Sequence, residues 1–398
     1  MFKIFLLLLI ATNANAVTVE EALKRVEMNE DVLIANEKVK QVRNNEDSLL
    51  GNILPDISLN GAYTKYSDGE NANGYDAHNV YLQLVQPLFK GLKEFNALSA
   101  AKLLSKAEQN LRESVSRETK QKLVRSIFSY LQTQKELSIH KELLKISNER
   151  VLEIERRARI GKSKKSDIYS AKAQAFSVQS GIKDIENTLM INRLEIARLI
   201  RLTDEETIEN TKNDNIKIDK SFSVDDYPTL IALDLSKQVV EKQIKITRGD
   251  HAPTINLKAN YYLENSNVNS DRDWDAGITL TFPIYQGGKT SAAVTDQYIN
   301  LKRSEIEIVR AKKAVAQIFD SLNVDIESGK ERLELNEKAM KANKLNYEEA
   351  VKEYSLGLIT NLDVISAMNQ YIDSQKVYAR TYYSVLSSKY QLKVLTEK

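Results

Sequence analysis

The sequence predicts a mostly α-helical chain that also contributes to a transmembrane β-barrel, built as two tandem structural repeats. Three observations predict this fold class. Proline-containing motifs recur at a nearly constant separation, segments of about ten residues alternate apolar and polar side chains, and two very long stretches contain no proline. A recurrence at fixed spacing indicates an internal structural repeat.

The composition excludes several classes of function. Charged residues make up 28% of the chain, with only 5 prolines and 13 glycines, a balance typical of long solvated helices. The net charge of +2 does not indicate a nucleic-acid partner. The chain has no cysteine, and its three histidines are far apart in the sequence. We therefore predict no lipid anchor on cysteine, no metal site, no cofactor and no enzymatic activity.

The N-terminus resembles a secretory signal. Lys3 precedes the apolar run Ile4–Ala11, and Ala14-Asn15-Ala16 carries small residues at the cleavage positions. The run is shorter than the ~20 residues that a membrane-spanning helix needs. We predict that residues 1–16 are a cleaved signal peptide; a short N-terminal anchor is the alternative.

The internal repeat has a period of about 196 residues. Each copy contains three matching landmarks, which are Leu54–Leu59 with Ala252–Leu257, Pro87–Gly91 with Pro283–Gly287, and Ile160-Gly161 with Leu356-Gly357. One register held across such distant landmarks indicates a tandem duplication. The predicted division is a first repeat over 17–203, an equatorial linker over 204–227 and a second repeat over 228–398.

Each repeat contains two segments that read as membrane strands. Apolar and polar side chains alternate strictly in Thr254–Leu263 and Asp275–Ile284, as in a strand with one apolar face. Ten tilted residues cross the hydrocarbon of a bilayer. The polar segments Ser67–His78 and Glu264–Asp273 suit outward loops. Two soluble half-buried hairpins are the alternative.

Four strands cannot close a barrel alone, since unpaired backbone groups are costly in hydrocarbon. Three copies would supply twelve strands, an even number in the known range. Two or four copies satisfy the same argument.

The proline-free stretches predict long helices. The segment from Gly91 to about Arg157 carries an apolar heptad stripe, and the stripe recurs in the second copy. At ~1.5 Å per residue, a helix of about 65 residues is about 100 Å long. We expect turns at Ile160–Lys165 and Gly357–Asn361. We also expect one continuous helix from Val19 to about Leu50.

Three motifs resemble those of one family. They are Leu54-Pro55 before the first strand, Gln86-Pro87-Leu88-Phe89-Lys90-Gly91 after the second, and Gly357-Leu358 followed by Asp363-Val364 at a tip. Because these motifs occur in this order and at this spacing over 17–398, the chain resembles the outer membrane efflux protein family of TolC-like channels.

This resemblance implies a homotrimer with a 12-stranded barrel on a long α-helical coiled-coil tunnel. The barrel would lie in the outer-membrane lipid of a Gram-negative bacterium, with the helices in the periplasm. It implies a passive duct of a tripartite efflux or type I secretion system. The implied partners are a periplasmic adaptor (membrane fusion) protein and an inner-membrane pump of the RND or ABC type. A periplasmic adaptor and a coiled-coil surface protein are the alternatives for the function.

The resemblance also suggests site residues. The pore gate at the periplasmic entrance would comprise Asp363, Asp167, Tyr354 and Ser366, although Ile359 stands where relatives have an arginine. Adaptor contacts would be Ile160, Gly161, Lys162, Ser163, Leu356, Gly357 and Leu358, and barrel entry and exit would be marked by Pro55, Pro87, Pro253 and Pro283. The structural alternatives are helix capping by the aspartates and C-terminal capping by the glycines.

Overall fold

The computed structural model describes residues 16–66, 76–209, 216, 222–266 and 272–397. The predicted signal peptide therefore lies outside the described residues, except for Ala16, as do most of the two predicted polar loops. Within the described residues, no helix combines the length and the apolar character needed to cross a membrane.

The elements alternate in the order that the repeat predicts. The helices are α1 (Val19–Arg25), α2 (Glu30–Gly51), α3 (Lys93–Arg159), α4 (Lys165–Ile200), α5 (Pro228–Arg248), α6 (Lys289–Leu356) and α7 (Asn361–Thr396). The strands are β1 (Ala16–Thr18), β2 (Asp56–Lys65), β3 (Asp76–Lys90), β4 (Thr207–Glu209), β5 (Thr254–Asn265) and β6 (Trp274–Thr281). Short 3₁₀ turns cover Val26–Met28, Val224–Asp226 and Gly249–His251.

The chain forms two compact units, and each draws on both sequence repeats. The helical unit comprises the described residues of Met1–Leu33, Val115–Ser223 and Val315–Lys398. The sheet unit comprises those of Ile34–Ser114 and Val224–Ala314. The tertiary division thus differs from the sequence division, because each repeat supplies part of both units.

The sheet unit contains a four-stranded antiparallel sheet in the order β2-β3-β5-β6. On one face the apolar side chains are exposed, and Ile278 and Leu280 are 69% and 64% exposed. On the other face polar side chains form hydrogen bonds with one another. Asn260 is hydrogen-bonded to Gln83 at 3.0 Å and to Asp275 at 2.9 Å. The predicted alternation is confirmed.

The strand ends differ in detail from the prediction. β6 ends at Thr281 rather than Ile284, so that Pro283 lies beyond it. By contrast, β3 continues through Pro87 to Lys90. Its pairing with β5 shifts register between Pro87 and Phe89. Such a bulge accommodates a proline, which has no N–H to donate to a ladder.

The core of the helical unit forms around a small parallel sheet that the sequence did not reveal. Strand β1 pairs with β4, and Val17 lies opposite Ile208. Strand β4 lies inside the segment that was predicted to be a linker. Val17, Ile208, Phe128 and Tyr390 belong to one buried apolar cluster, and the rings of Phe128 and Tyr390 lie 5.3 Å apart. Strands of three residues are too short to show an alternation pattern.

The prediction of one continuous helix from Val19 to Leu50 was wrong. The chain breaks at Asn29, which is extended and 3% exposed. Its side-chain Nδ2 donates to the carbonyl of Leu199 at 3.1 Å, and its Oδ1 accepts from the N–H of Asp31 at 3.0 Å. Asn29 therefore caps α2 and holds its start against the end of α4.

The predicted long helices are confirmed. α3 has 67 residues and α6 has 68, whereas α4 and α7 each have 36. At ~1.5 Å per residue, α3 and α6 are each about 100 Å long.

Two glycines allow a close crossing of backbones where β3 leaves the sheet. Gly91 has φ +68°, and a Cβ on it would lie 2.5 Å from the carbonyl oxygen of Gly249. A Cβ on Gly249 would lie 2.5 Å from Cγ of Lys93. Beside this contact, Lys93 Nζ and Asp250 Oδ1 form an ion pair at 2.7 Å.

We predict that Gly91→Ala is more destabilising than Gly287→Ala. Gly287 is the repeat counterpart and has φ +61°, but a Cβ there meets no atom within 4 Å. Gly287→Ala should cost only the left-handed backbone penalty, about 1–2 kcal/mol. Gly91→Ala should add the clash, a further ~1–3 kcal/mol. The thermal unfolding midpoints of both variants measure the difference, and equal midpoints would contradict the close crossing.

Candidate functional site

The two turns between the long helices and their return helices share one backbone geometry. We call residues 156–165 the first tip and residues 352–361 the second tip. In the first tip, Gly161 has φ +73°. Its N–H donates to the carbonyl of Ala158, and the N–H of Lys162 donates to the carbonyl of Arg157. In the second tip, Gly357 has φ +78°. Its N–H donates to the carbonyl of Tyr354, and the N–H of Leu358 donates to the carbonyl of Glu353. Both tips are Schellman caps, for which glycine is suited.

Asp363 caps the start of α7. Its Oδ2 accepts from the backbone N–H of Thr360 at 2.8 Å and from the Thr360 hydroxyl at 2.6 Å. The Thr360 oxygen accepts in turn from the N–H of Asp363 at 3.4 Å, which completes a capping box. These donors, the Thr360 hydroxyl first, lower the pKa of the exposed Asp363 carboxyl. The group is therefore ionised at neutral pH.

Asp167 occupies the equivalent position at the start of α4. Its Oδ2 accepts from the backbone N–H of Lys164 at 3.0 Å and from the hydroxyl of Ser163 at 2.9 Å. Both aspartates therefore have the structural role that their sequence positions predicted. No hydrogen bond joins Asp167 to Tyr354 among the residues that the structure describes.

Tyr354 lies between two arginines of the other long helix. Its ring is buried, and the guanidinium carbons of Arg150 and Arg157 lie 3.9 and 4.5 Å from the ring centroid. Glu153 pairs with both arginines, at 2.8 and 3.6 Å. Arg150 Nε also donates to Oδ1 of the buried Asn361 at 3.1 Å. One cluster thus joins the ends of α3 and α6 to the beginning of α7.

The motifs in the sequence did not indicate Arg150 and Arg157 as site residues. Their seven-residue spacing places them on one face of α3, but charged heptad positions are common on exposed helices. Ile359 packs against the apolar cluster that contains Tyr354 and Val364. Cationic groups therefore approach Tyr354 from α3.

The remaining predicted positions lie at element boundaries or on exposed surfaces. Ser366 is exposed, one turn after Asp363, and accepts from Gln370 Nε2 at 3.5 Å. Pro55 and Pro253 immediately precede β2 and β5.

Most of the predicted adaptor-contact residues at the tips are exposed. Ser163 is half-buried, and the exposed ones are Ile160, Gly161, Lys162, Leu356, Gly357 and Leu358. In the described part of the chain, no group of three or more His, Cys, Asp or Glu side chains could hold a metal ion.

Comparison with known proteins places this architecture in a family. The model of the family described as "Outer membrane efflux protein" matches residues 20–200 and 225–396. TolC of Salmonella enteritidis is 23% identical over 386 residues, which covers 87% of this chain and 75% of TolC. The efflux protein BepC of Brucella suis is 22% identical over 325 residues, with 79% and 70% coverage.

Solved structures show the same fold. The CusC structure, whose description concerns transmembrane channel formation, superposes with a TM-score of 0.87 at 15% identity over 94% of this chain and 90% of that one. VceC, an outer membrane protein of Vibrio cholerae, gives 0.82 at 15% identity, with 94% coverage of both chains. With the family match spanning both repeats, these likenesses lead to one assignment: the chain belongs to the outer membrane efflux protein family and is an outer-membrane efflux channel protein, not an enzyme.

Proposed function

We propose that three copies of this chain form a passive duct through which an inner-membrane pump exports its cargo, with a periplasmic adaptor docked at the tips. The observation that carries the proposal is the four-stranded sheet, which has two open edges and one bare apolar face. The pump would be of the RND or ABC type, and it would supply the energy for export.

The open edges support assembly into a ring. Within the described residues, β2 pairs only with β3, and β6 pairs only with β5. In hydrocarbon each unpaired backbone group costs several kcal/mol, so the edge of one copy must meet the edge of the next. Three four-stranded sheets make twelve strands, and closure removes every edge.

The exposed side chains of the sheet support a lipid-facing wall. Ile57, Leu59, Ile278 and Leu280 stand open on the apolar face. Tyr63 and Trp274 are also exposed and lie near strand ends, where aromatic residues mark a membrane interface. The polar network of Gln83, Asn260 and Asp275 would then line the lumen.

The gate at the entrance would use charge and packing together. Threefold symmetry would bring three Asp363 carboxylates together into a ring that favours cations. Ser366 would lie one turn deeper, and Asp167 would support the neighbouring tip. The cluster of Tyr354 with Arg150 and Arg157 would hold the end of α6 against α3, and so keep the entrance narrow.

The division of the chain into repeats over 17–203 and 228–398, joined by 204–227, remains part of this proposal. The ordered succession of helix, two strands, long helix and return helix in each half supports it. The segment 204–227 would then have joined two ancestral copies and acquired β4 as a partner for β1.

We predict an outer-membrane protein that migrates as an SDS-resistant trimer and dissociates on heating. Ile278→Lys should deplete this trimer, because a lysine on the lipid face costs about 2–4 kcal/mol near the bilayer midplane. Thr279→Lys is the matched control, since the neighbouring side chain points to the lumen. Gel migration with and without heating measures both. A wild-type monomer, or equal loss in the two variants, would refute the proposed barrel.

Asp363→Asn should lower the cation selectivity of the channel in planar bilayers. Asparagine retains an acceptor oxygen for the N–H of Thr360 but removes the charge from the ring, so the reversal potential in a KCl gradient should move towards zero. Asp373→Asn, ten residues further along the same helix, is the control. Unchanged selectivity in Asp363→Asn would leave Asp363 with its capping role alone.

Tyr354→Ala should increase the conducting fraction of channels, whereas Tyr354→Phe should resemble the wild type. Phenylalanine keeps the ring between the two guanidinium groups, and alanine removes it. The loss of about 1–2 kcal/mol of cation–π attraction corresponds to a roughly 5- to 30-fold shift in population. Single-channel recording gives the open probability. A large effect of Tyr354→Phe would show that the hydroxyl, rather than the ring, holds the tip.

A further inference from the structure

The two tips have the same backbone but opposite surface chemistry. The first tip, residues 156–165, contains six cationic residues and no carboxylate, and these are Arg156, Arg157, Arg159, Lys162, Lys164 and Lys165. The second tip, residues 352–361, contains one lysine and one glutamate. Duplication therefore preserved the Schellman turn, while the charge of one copy diverged by several units.

Five of the six cations have no carboxylate partner among the residues that the structure describes. Within the described residues, no carboxylate oxygen lies within 4.0 Å of Arg156, Arg159, Lys162, Lys164 or Lys165, and all five are exposed. The sixth, Arg157, contacts Tyr354 and Glu153, as described above.

The acidic residues nearest in sequence are engaged with other groups. Glu153 pairs with Arg150 and Arg157. Glu155 pairs with Lys172 at 2.8 Å. The carboxylate of Asp167 accepts from Ser163 and from the backbone of Lys164. These carboxylates offset only part of the positive charge of the first tip, because among the described residues the five exposed cations take part in no ion pair.

Folding stability accounts for only some of these cations. Arg156 and Arg159 lie in the last turn of α3, where positive charge interacts favourably with the helix dipole. Lys164 is the N-cap of α4 and Lys165 is its first residue, where the dipole disfavours a cation. The helix dipole therefore does not account for the lysines at these two positions.

The second tip presents an apolar surface in the corresponding place. Leu356 and Leu358 are 74% and 70% exposed, and Leu362, just beyond the tip, is 71% exposed. Lys352 is paired with Glu349 at 2.7 Å. One chain thus offers two separate surfaces of different chemistry, one cationic and one aliphatic.

We propose that the first tip docks a carboxylate-rich segment of the adaptor, and that the second tip docks an apolar segment of the same partner. This inference rests on the proposed function, because it concerns the surface at which the adaptor binds. The cationic tip would set the rate of association and reject adaptors with basic segments, since charges at the rim of an interface govern encounter and partner choice. The apolar tip would supply the salt-insensitive part of the binding.

The test reverses the charge of the first tip in the native strain. The variant Lys162→Glu, Lys164→Glu, Lys165→Glu is compared with Lys102→Glu, Lys106→Glu, Lys313→Glu, which reverses three exposed lysines outside the tips. A third variant, Leu356→Asp, Leu358→Asp, alters the second tip. Growth is scored with a compound to which the channel-deletion strain is hypersensitive, and SDS-resistant trimer is measured in each strain.

We expect the tip lysine variant to tolerate about tenfold less of the compound, with a normal amount of trimer, because several exposed charge pairs become repulsive. The control lysine variant should grow as the wild type. Suppressors of the tip lysine variant should map to an adaptor gene and replace glutamate or aspartate with a neutral or basic residue.

The outcomes separate this inference from the proposed function. If the leucine variant loses export and the lysine variant does not, adaptor docking at the tips stands and the electrostatic role falls. If neither variant loses export although deletion does, docking at the tips falls as well.

The source of the negative charge is tested separately by flotation. The trimer in nanodiscs is mixed with vesicles of phosphatidylglycerol, for the wild type and for the tip lysine variant. If only the wild type floats, and all suppressors lie outside adaptor genes, an anionic lipid surface is the partner and the inference is overturned.

Discussion

Backbone hydrogen bonds at the edges of the four-stranded sheet are the constraint on which the other features of this channel protein depend. Among the described residues, β2 and β6 each leave one row of N–H and C=O groups without a partner. Water can form hydrogen bonds with such groups, whereas hydrocarbon cannot. A chain with this sheet and its bare apolar face is therefore incomplete alone. Apolar side chains of α4 and α6 are exposed as well, including Phe176, Ile191 and Leu335.

The two halves of the chain share the succession of two strands, a long helix and a return helix, and equivalent positions differ where their neighbours differ. Gly91 and Gly287 have similar backbone angles, yet only Gly91 is crossed by another backbone. At the tips, the turn geometry is shared, whereas one tip is cationic and the other aliphatic. Likewise, arginines at the end of α3 enclose a tyrosine at the end of α6. At Gly91 and at Tyr354, asymmetry between equivalent positions therefore marks a place where distant parts of this chain meet.

Patterns that repeat along many residues could be predicted, whereas features confined to a few residues could not. The alternation in Thr254–Leu263 and the long proline-free stretches correctly indicated β5 and α3. The pairing of β1 with β4 was missed, because three residues carry no periodicity. The break at Asn29 was missed for another reason. The asparagine lies among good helix formers, and its buried contact is with the carbonyl of Leu199, 170 residues away in the chain.

The sequence by itself determined the periodic features: the duplication, the strand alternation, the helix lengths and the turn glycines. These follow from local backbone preferences and from the spacing of apolar side chains, both of which can be read along one segment. Only the tertiary structure decided which distant side chains meet, as Arg150 and Arg157 meet Tyr354. It also decided which charges stay unpaired, as at the first tip. Distances between segments depend on how the helices and strands pack, and a linear pattern carries no record of that packing.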